Sequence, residues 1–510
     1  MNNTYITTPI YYVNDVPHVG HAYTSIACDA LARFYRLKGS DVFFLTGTDE
    51  HGLKIQQATK KKNVDTQSFV DNMSLNFQNL SKNLNLSNND FIRTTSQKHK
   101  KSVQSFWNKL VENNQIYLDK YSGWYSIRDE AFYSEDEIID GKAPSGSDVE
   151  WVEESSYFFK LSSWENNLLE FYKENPDFVK PKSRFNEVIS FVEQGLKDLS
   201  ISRTSFDWGI DVPDAEGHVV YVWIDALTNY LTALDYPDLE SNKYKNFWPA
   251  SYHIVGKDIL RFHAIYWPAL LMAAGLPLPK NIIAHGWWTV EKEKMSKSVG
   301  NVVDPNEIVN KYGLDQFRFF LLREVPFGND GDFSKTSLIS RINSELANSF
   351  GNLVNRVFSM TNKNLNGIIP EADILENEQK LISACDEIIS DYMVFFKNVE
   401  FSRALESVLE IVSSTNKYID NMKPWALAKE GKKEDLERVM RASLEMIRII
   451  SILFYPVMPD SSSKILSALG ITINSEKSCF TGEYQIDSLK VNTKLGELGL
   501  LFPKIDKIEG

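Results

Sequence analysis

Cysteine is scarce: among 510 residues only Cys28, Cys385 and Cys479 occur, far apart and with no CxxC pair. That excludes a disulfide framework and a cysteine-rich zinc site, and it suits a reducing compartment, so a cytoplasmic location is expected. A cationic excess is missing as well. Lys and Arg number 55 against 68 Asp and Glu, a net charge of −13. Any nucleic acid must then be held through local basic patches within an acidic whole. Long hydrophobic runs are absent. The longest uncharged one, AIYWPALLMAAGLPLP at 264–279, is broken by prolines and too short to span a bilayer. It reads as a buried helix, and no membrane partner is expected. The opening residues MNNTYITTPIYY lack a basic region followed by an apolar one and lack the arginines of a transit peptide, so no targeting segment is expected.

What is present is ample core material. A chain 43% hydrophobic and 12% aromatic can fill several cores, and its length calls for two or three domains. All eight histidines lie before residue 286, and ten of eleven tryptophans lie before residue 289. After about residue 340 the texture turns to leucine, isoleucine, asparagine, lysine and glutamate at helical spacing. The front therefore bears the site, and the back is helical.

The front alternates strands and helices. TYITTPIYY is β-branched and aromatic and predicts a strand. From Val19 to Lys38 apolar residues (Ile26, Ala30, Ala32, Phe34, Leu37) recur at helical spacing, with Gly39 as the stop. DVFFLTGTDEHG is a second buried strand, completing a βαβ unit and hence a parallel sheet. The pattern resumes with SYHIVG as a strand, Asp258–Ala274 as a helix and KNIIAHGWW as a strand. Between the halves, roughly 120–220 forms an insertion rich in aromatics and carboxylates. The stretch PFGNDGDFS near 326–336 reads as a loop.

Two histidines three apart, His18 and His21, occupy the loop-to-helix junction VPHVGHAYTS. Metal ligation, packing and phosphate contact are all open to them. A zinc helix would use spacing four with a glutamate between, whereas a helix start after the first strand of a parallel sheet attracts phosphate. Far downstream, EKEKMSKSVGN (291–301) puts Lys294 and Lys297 in a loop with Ser296, Ser298 and Gly300. Lysines there suit neutralisation of a polyphosphate leaving group, or else form a solvated basic loop.

HVGH joined to the literal string KMSKS in a split parallel sheet resembles the class I aminoacyl-tRNA synthetases, whose two signatures bind ATP together. The flanking pieces TTPIYYVNDVPHVGHAYT, FLTGTDEHG, YVWIDALTNYL, HIVGKDILRFHAIYWPALL and AHGWWTVEKEKMSKSVGN resemble the methionyl-tRNA synthetase family across nearly the whole chain. The resemblance implies an α/β fold: a Rossmann-type parallel-sheet catalytic domain with an inserted connective subdomain, followed by an all-α anticodon-binding helical bundle. Its expected divisions are 1–118 and 221–300 for the two catalytic halves and 119–220 for the insertion. A stem-contact region follows at 301–340, then the bundle at 341–460. Residues 461–510 are expected to pack back on the front body.

By the same resemblance His18, His21, Lys294 and Lys297 act on the triphosphate, with Ser296 in the same loop and Gly256, Lys257 and Asp258 at the adenosine. A bland alternative remains for the last three, a glycine turn and a helix cap. Asp49 would hold the methionine ammonium. Ile10, Tyr12, Trp223, Ala226, Leu227, Tyr230, Ile259, His263 and Trp267 would form the side-chain pocket, an aromatic slot suited to a flexible, polarizable thioether. Leu227 replaces a proline found in one branch of the family. In a helix from Asp258, Ile259, His263 and Trp267 fall on one face. Core packing is the alternative for the tryptophans and Tyr230. In the bundle, Asn352 and Arg356 would hydrogen-bond base edges, and Trp425 after Pro424 would stack on a base, together reading the CAU anticodon.

Many members of the family carry a zinc knuckle with two CxxC pairs. Here Ser126 and Asp129 stand in place of the first pair, and APSGSDVEW lacks the second. No structural zinc is expected, because serine and aspartate do not make a soft site. Trp124, Tyr125, Phe132, Tyr133 and Trp151 are expected to hold this subdomain by packing.

The implied reaction is ATP-dependent attachment of L-methionine to tRNA(Met), initiator tRNA included, through a methionyl-adenylate, with Mg²⁺ accompanying ATP and with a monomer as the working form. Among the rivals, a nucleotidyltransferase would not need the helical tail. Synthetases for leucine, valine and isoleucine carry a larger insertion, and the cysteine enzyme uses a zinc set missing here. A silent tRNA-binding paralogue is disfavoured by intact HVGH, KMSKS and Asp49.

Overall fold

A computed structural model of the chain describes residues 3–14, 16–129, 131–133, 135–294, 301–473 and 489–506. Ser296 and Lys297 lie outside the described residues. The chain divides into two compact units: Asn3–Pro17 with Phe43–His285, here the sheet unit, and His18–Val42 with Gly286–Gly510, here the helical unit.

The sheet unit is built on seven strands in the order Tyr11–Tyr12, Asp41–Asp49, Asn3–Thr7, Tyr252–Gly256, Ile282–His285 and Val179–Lys180, with Asp90–Arg93 also paired to Asp41–Asp49. The described registers are parallel. Their sequences read as near-continuous apolar runs because a parallel sheet is covered on both faces; eight of the nine residues in Asp41–Asp49 are buried. Gly47 is required by the approach of the neighbouring strand, since a Cβ there would lie 2.1 Å from the Ile92 carbonyl oxygen.

The predicted strand TYITTPIYY is in fact two strands. Asn3–Thr7 lies on one side of Asp41–Asp49 and Tyr11–Tyr12 pairs with it on the other, at Thr48 and Asp49. Pro9 between them has no N–H to give to a ladder, so the chain crosses the strand end there.

The predicted regular helix Asp258–Ala274 is also corrected. It comprises a 3₁₀ turn Lys257–Ile259, a π-helical turn Phe262–Tyr266 and an α-helix Trp267–Ala274. Gly256, not Asp258, precedes the first turn as its cap. The widened π turn falls where Phe262 and His263 meet other rings, and π turns concentrate at such places.

The insertion forms a four-stranded antiparallel sheet, Ala131–Tyr133, Ile116–Ser126, Glu150–Phe159 and Leu199–Ser200. Trp124 and Trp151 face each other across it, edge to face at 5.4 Å. Trp151 is 52% exposed and its Nε1 donates to Glu153 at 3.2 Å, so it is a surface residue and not a core one.

In the helical unit the helix Val19–Leu37 ends at Lys38, and Gly39 takes φ 78° as the stop. Its Asp29 is wholly buried, where Arg318 (2.6 Å) and Arg33 (2.7 Å) both reach one carboxylate oxygen. Arg318 Nε also donates to the Val457 carbonyl at 2.7 Å, so the chain segments around 29, 318 and 457 are locked together. The predicted loop at 326–336 contains a short strand instead, Gly331–Phe333, parallel to Trp288–Val290. Long helices Glu376–Lys397, Phe401–Met422 and Lys433–Phe454 follow as predicted. The last described residues dock within this unit: Ile369 N–H donates to the Thr493 carbonyl at 2.8 Å, and Phe502 packs on Phe350. Among the described residues no helix is long and apolar enough to cross a membrane.

Candidate functional site

His18 is the N-cap of helix Val19–Leu37, and the two histidines cap it reciprocally. Gly20 N–H donates to His18 Nδ1 and His18 N–H donates to His21 Nδ1, each at 3.1 Å. The rings lie 4.0 Å apart. A ring nitrogen that accepts carries no proton, so each neutral imidazole holds its proton on Nε2. Burial first, and His18 beside it second, push the His21 pKa well below the ordinary imidazole value. The glycine is part of the device: a Cβ on Gly20 would come within 2.9 Å of the His18 ring and expel it from the cap. Thus HxGH is a helix start whose side chains become neutral Nε2–H donors, next to backbone N–H groups that already favour an anion.

The chain on either side of KMSKS meets this helix. Val19 N–H donates to the Val303 carbonyl at 3.1 Å, and Tyr23 packs edge-on against Trp288 at 5.4 Å. Trp288–Val290 and Glu293–Lys294 form a hairpin, with Glu291 and Lys292 both in the left-handed region. Asp332, on the strand that sequence reading took for loop, holds that turn by accepting from Thr289 Oγ1 at 2.6 Å and Lys292 N–H at 2.7 Å. The structure therefore brings His18, His21 and the backbone of Lys294 into one unit.

The residues assigned to methionine belong to the sheet unit. Asp49 ends its strand opposite Tyr12 and is buried; Lys54 Nζ lies 5.1 Å from the Tyr12 ring centre. The helix Val222–Thr232 carries Trp223, Ala226, Leu227 and Tyr230. Ile10, Trp223 and Ile259 are half-buried against the main core, whereas Leu227, Tyr230, His263 and Trp267 are almost fully enclosed. Tyr230 Oη lies 2.7 Å from His263 Nε2, and His263 Nδ1 lies 2.9 Å from the Ile259 carbonyl oxygen. The carbonyl can only accept, so Nδ1 bears the proton and Tyr230 donates to Nε2. Burial lowers the His263 pKa to about 4, only partly offset by the Ile259 carbonyl and Asp258. This histidine is neutral at ordinary pH. Sequence reading missed Phe262, which stacks on Trp223 at 3.6 Å and 8°; the only available signal was an aromatic residue beside His263. Gly256, Lys257 and Asp258 occupy the end of the strand Tyr252–Gly256, the edge at which open parallel sheets take nucleotides.

In the helical unit Asn352 opens the helix Asn352–Asn364 and is exposed. Arg356, one turn on, contacts Asp420 at 3.0 Å and lies 5.9 Å from the Trp425 ring centre. Its Nε and Nη2 make no hydrogen bond. Trp425 is 46% exposed, and Pro424, at the first position of helix Pro424–Glu430, is buried. Asp420 was also missed by sequence reading, for nothing about an isolated acid in a helix marks it as the partner of an arginine far upstream.

The Ser126–Asp129 segment closes on itself. The Asp129 carboxylate accepts from Ser147 at 2.6 Å, Tyr133 at 3.0 Å and also Ser145, while Ser126 Oγ lies 2.7 Å from Ser147 Oγ. Burial would raise the Asp129 pKa, but these hydroxyls outweigh it and hold the carboxyl below its usual range. Four hydroxyls and one carboxylate, each already engaged, do not fit a thiolate zinc site.

This architecture, a parallel sheet with a capped phosphate-type helix start followed by a helical bundle, defines the class, and comparison with known proteins agrees. Residues 4–150 and 136–358 match the family of class I tRNA synthetases (M), and residues 369–509 match the anticodon-binding domain of methionyl tRNA ligase. The methionine–tRNA ligase of Rickettsia conorii is 51% identical over 99% of this chain and 100% of its own length. That of Bacillus subtilis is 48% identical over the whole of this chain and 79% of its own. Mycobacterium tuberculosis methionyl-tRNA synthetase in complex with methionyl-adenylate superposes with a TM-score of 0.95 at 46% identity, covering 99% of this chain and 100% of the other. The chain belongs to the methionyl-tRNA synthetase family.

Proposed function

We propose that the protein attaches L-methionine to tRNA(Met), initiator tRNA included, in two steps. A methionine carboxylate oxygen attacks the α-phosphorus of ATP, forming methionyl-adenylate as pyrophosphate leaves. A hydroxyl of the tRNA's terminal adenosine then attacks the activated carbonyl and AMP departs. No protein nucleophile takes part, so catalysis is positioning and charge stabilisation. The Nε2–H groups of His18 and His21 donate to phosphate oxygens from the helix start. Lys294 and Lys297 neutralise the pyrophosphate as it separates, and Gly256, Lys257, Asp258 and Ser296 hold the nucleotide. Mg²⁺ accompanies ATP as part of the substrate.

Asp49 takes the substrate ammonium through charge-assisted hydrogen bonds. The side chain enters the slot of Ile10, Tyr12, Trp223, Ala226, Leu227, Tyr230, Ile259, His263 and Trp267. The observation that carries the choice of amino acid is the Tyr230–His263 pair. Two polar groups there satisfy each other and stay uncharged, giving an aromatic cavity that a weakly polar thioether fits and a charged side chain does not. Asn352, Arg356, Pro424 and Trp425 read the anticodon: Trp425 by stacking, Arg356 by the donors that Asp420 leaves over. We place the activity, as a monomer, in a reducing cytoplasm, consistent with buried free thiols at Cys28 and Cys385. Amino-acid-dependent pyrophosphate exchange across the twenty amino acids tests the reading. Methionine alone should support exchange; exchange with another amino acid and not with methionine overturns it.

A further inference from the structure

Three buried side chains with no part in the site above meet inside the sheet unit. Asp225 lies in the first turn of the Trp223-bearing helix and is 1% exposed. Its Oδ2 is 2.6 Å from His51 Nδ1, and its Oδ1 is 2.7 Å from His99 Nε2. His99 Nδ1 reaches Thr232 Oγ1, at the far end of the same helix, at 3.0 Å. His51 stands two residues beyond Asp49. The residue between, Glu50, is fixed in turn: Arg93 grips both its carboxylate oxygens at 2.7 and 2.9 Å, and Trp208 Nε1 donates to its carbonyl at 2.7 Å.

A buried carboxylate is costly and adds little stability over a packed apolar residue, so its use here calls for a directional reason. Burial would raise the Asp225 pKa, but His51 and His99 outweigh it and hold the carboxyl below its usual range, so it serves as an acceptor. Two hydrogen bonds at roughly opposed oxygens fix the rotation of a helix in a way that apolar contacts alone do not.

We propose that Asp225, bridged by His51 and His99, is a positioning residue for amino-acid recognition. It ties the helix bearing Trp223, Ala226, Leu227 and Tyr230 to the strand end bearing Asp49. The side-chain half and the ammonium half of the slot are thereby held at one spacing. This rests on the reading of those residues as the methionine pocket. Asp225 touches no substrate; it acts through the residues on either side of it.

Pyrophosphate exchange on the full-length protein, with methionine and ATP varied separately, tests the bridge. Asp225→Asn and His51→Leu should each raise the methionine KM by about tenfold, as loss of supporting contacts behind a binding group does, while the ATP KM stays within about twofold. His51→Asn, which keeps a donor near the Nδ1 position, should restore most of the loss seen in His51→Leu. Should Asp225→Asn fail to fold, the two His51 variants carry the test alone. A methionine KM unmoved by Asp225→Asn and His51→Leu, while Asp49→Asn raises it, overturns the bridge and leaves the pocket standing. A methionine KM unmoved by Asp49→Asn as well overturns the pocket reading itself. Equal rises in both KM values, with no rescue by His51→Asn, reduce the bridge to general stability and overturn it.

Discussion

The residues assigned to methionine in the sheet unit and those assigned to phosphate and anticodon in the helical unit arrange their polar groups differently. In the sheet unit two polar groups of the assigned pocket close on one another, Tyr230 on His263 and His263 on the Ile259 carbonyl, while the buried Trp267 Nε1 makes no hydrogen bond. In the helical unit the assigned groups are hydrogen-bond donors. His18 and His21 carry protons on Nε2, and Arg356, beside a half-exposed Trp425, has two buried nitrogens without a hydrogen bond. The difference follows from the targets. A thioether offers almost no hydrogen bonding, so strongly polar groups beside it do best paired with one another, as Tyr230 and His263 are. Phosphates and unpaired bases offer many acceptors, so donor groups such as imidazole Nε2–H and guanidinium suit their sites.

The largest break in this contrast should come from the helical unit. Lys297→Ala is expected to slow adenylation by roughly 10²–10³-fold, the range seen when a group stabilising transition-state charge is removed. Methionine binding, measured by equilibrium dialysis, should stay nearly unchanged, because the residues assigned to that slot all lie in the sheet unit. Unaltered pyrophosphate exchange removes Lys297 from the reaction. Next in size is Trp425→Ala, which deletes one stacking platform worth about 1–3 kcal/mol, or roughly 5- to 150-fold in tRNA charging. Exchange without tRNA should be spared. If both steps fall equally, Trp425 is a structural residue and the helical unit loses its second donor-bearing site.

The opposite intervention, in the sheet unit, is smaller. Tyr230→Phe leaves His263 Nε2 without its donor in an apolar cavity, and the methionine KM should rise roughly tenfold with the ATP KM unaltered, since an unsatisfied buried acceptor costs about 1–3 kcal/mol. The same pair fixes a pH dependence. His263 is lowered to about 4 in the folded chain, below about 6.5 when unfolded. Between these values the unfolded state binds more protons, so the His263 contribution to stability is complete above about pH 6.5 and is lost as pH falls toward 4. The methionine KM should therefore be flat from pH 8 to 5. A rise centred near pH 6.5 would show that His263 titrates freely and that the pocket is not closed.

How far these features could be read from residues alone depends on their range. The βαβ start was legible because strand composition and helical spacing are local, and Gly39 marks its own stop. HVGH declared a helix start, but not that Gly20 exists to let the His18 ring fold onto the cap, which requires a distance to a specific atom. The π turn at Phe262–Tyr266 was invisible, since its apolar spacing matches an ordinary helix and the Trp223 ring stacked on its Phe262 comes from another segment. The strand Gly331–Phe333 was hidden for a similar reason. Gly, Asn and Asp dominate its neighbourhood, and only its pairing with Trp288–Val290 makes it a strand. Partners far along the chain, such as Asp420 for Arg356 or His99 for Asp225, leave no local mark at all.

The smallest effect sharpens the contrast within the sheet unit itself, at its insertion. Around Asp129 the polar groups are closed on one another as Tyr230 and His263 are, and there they link two ends of a turn. Ser147 Oγ lies within hydrogen-bond distance of both Ser126 and Asp129, so Ser147→Ala removes the link between the two ends of the turn. The expected loss is about 1 kcal/mol, a fall of roughly 2–4 °C in the melting temperature of a cooperative unit this large, with exchange activity retained at 25 °C. A chelator should shift the melting temperature of neither the parent protein nor the variant, because the hydroxyls and carboxylate that would have to bind metal already bind each other. Stoichiometric zinc in the purified protein, or a chelator-sensitive melt that Ser147→Ala abolishes, would mean that the cluster opens to take a metal.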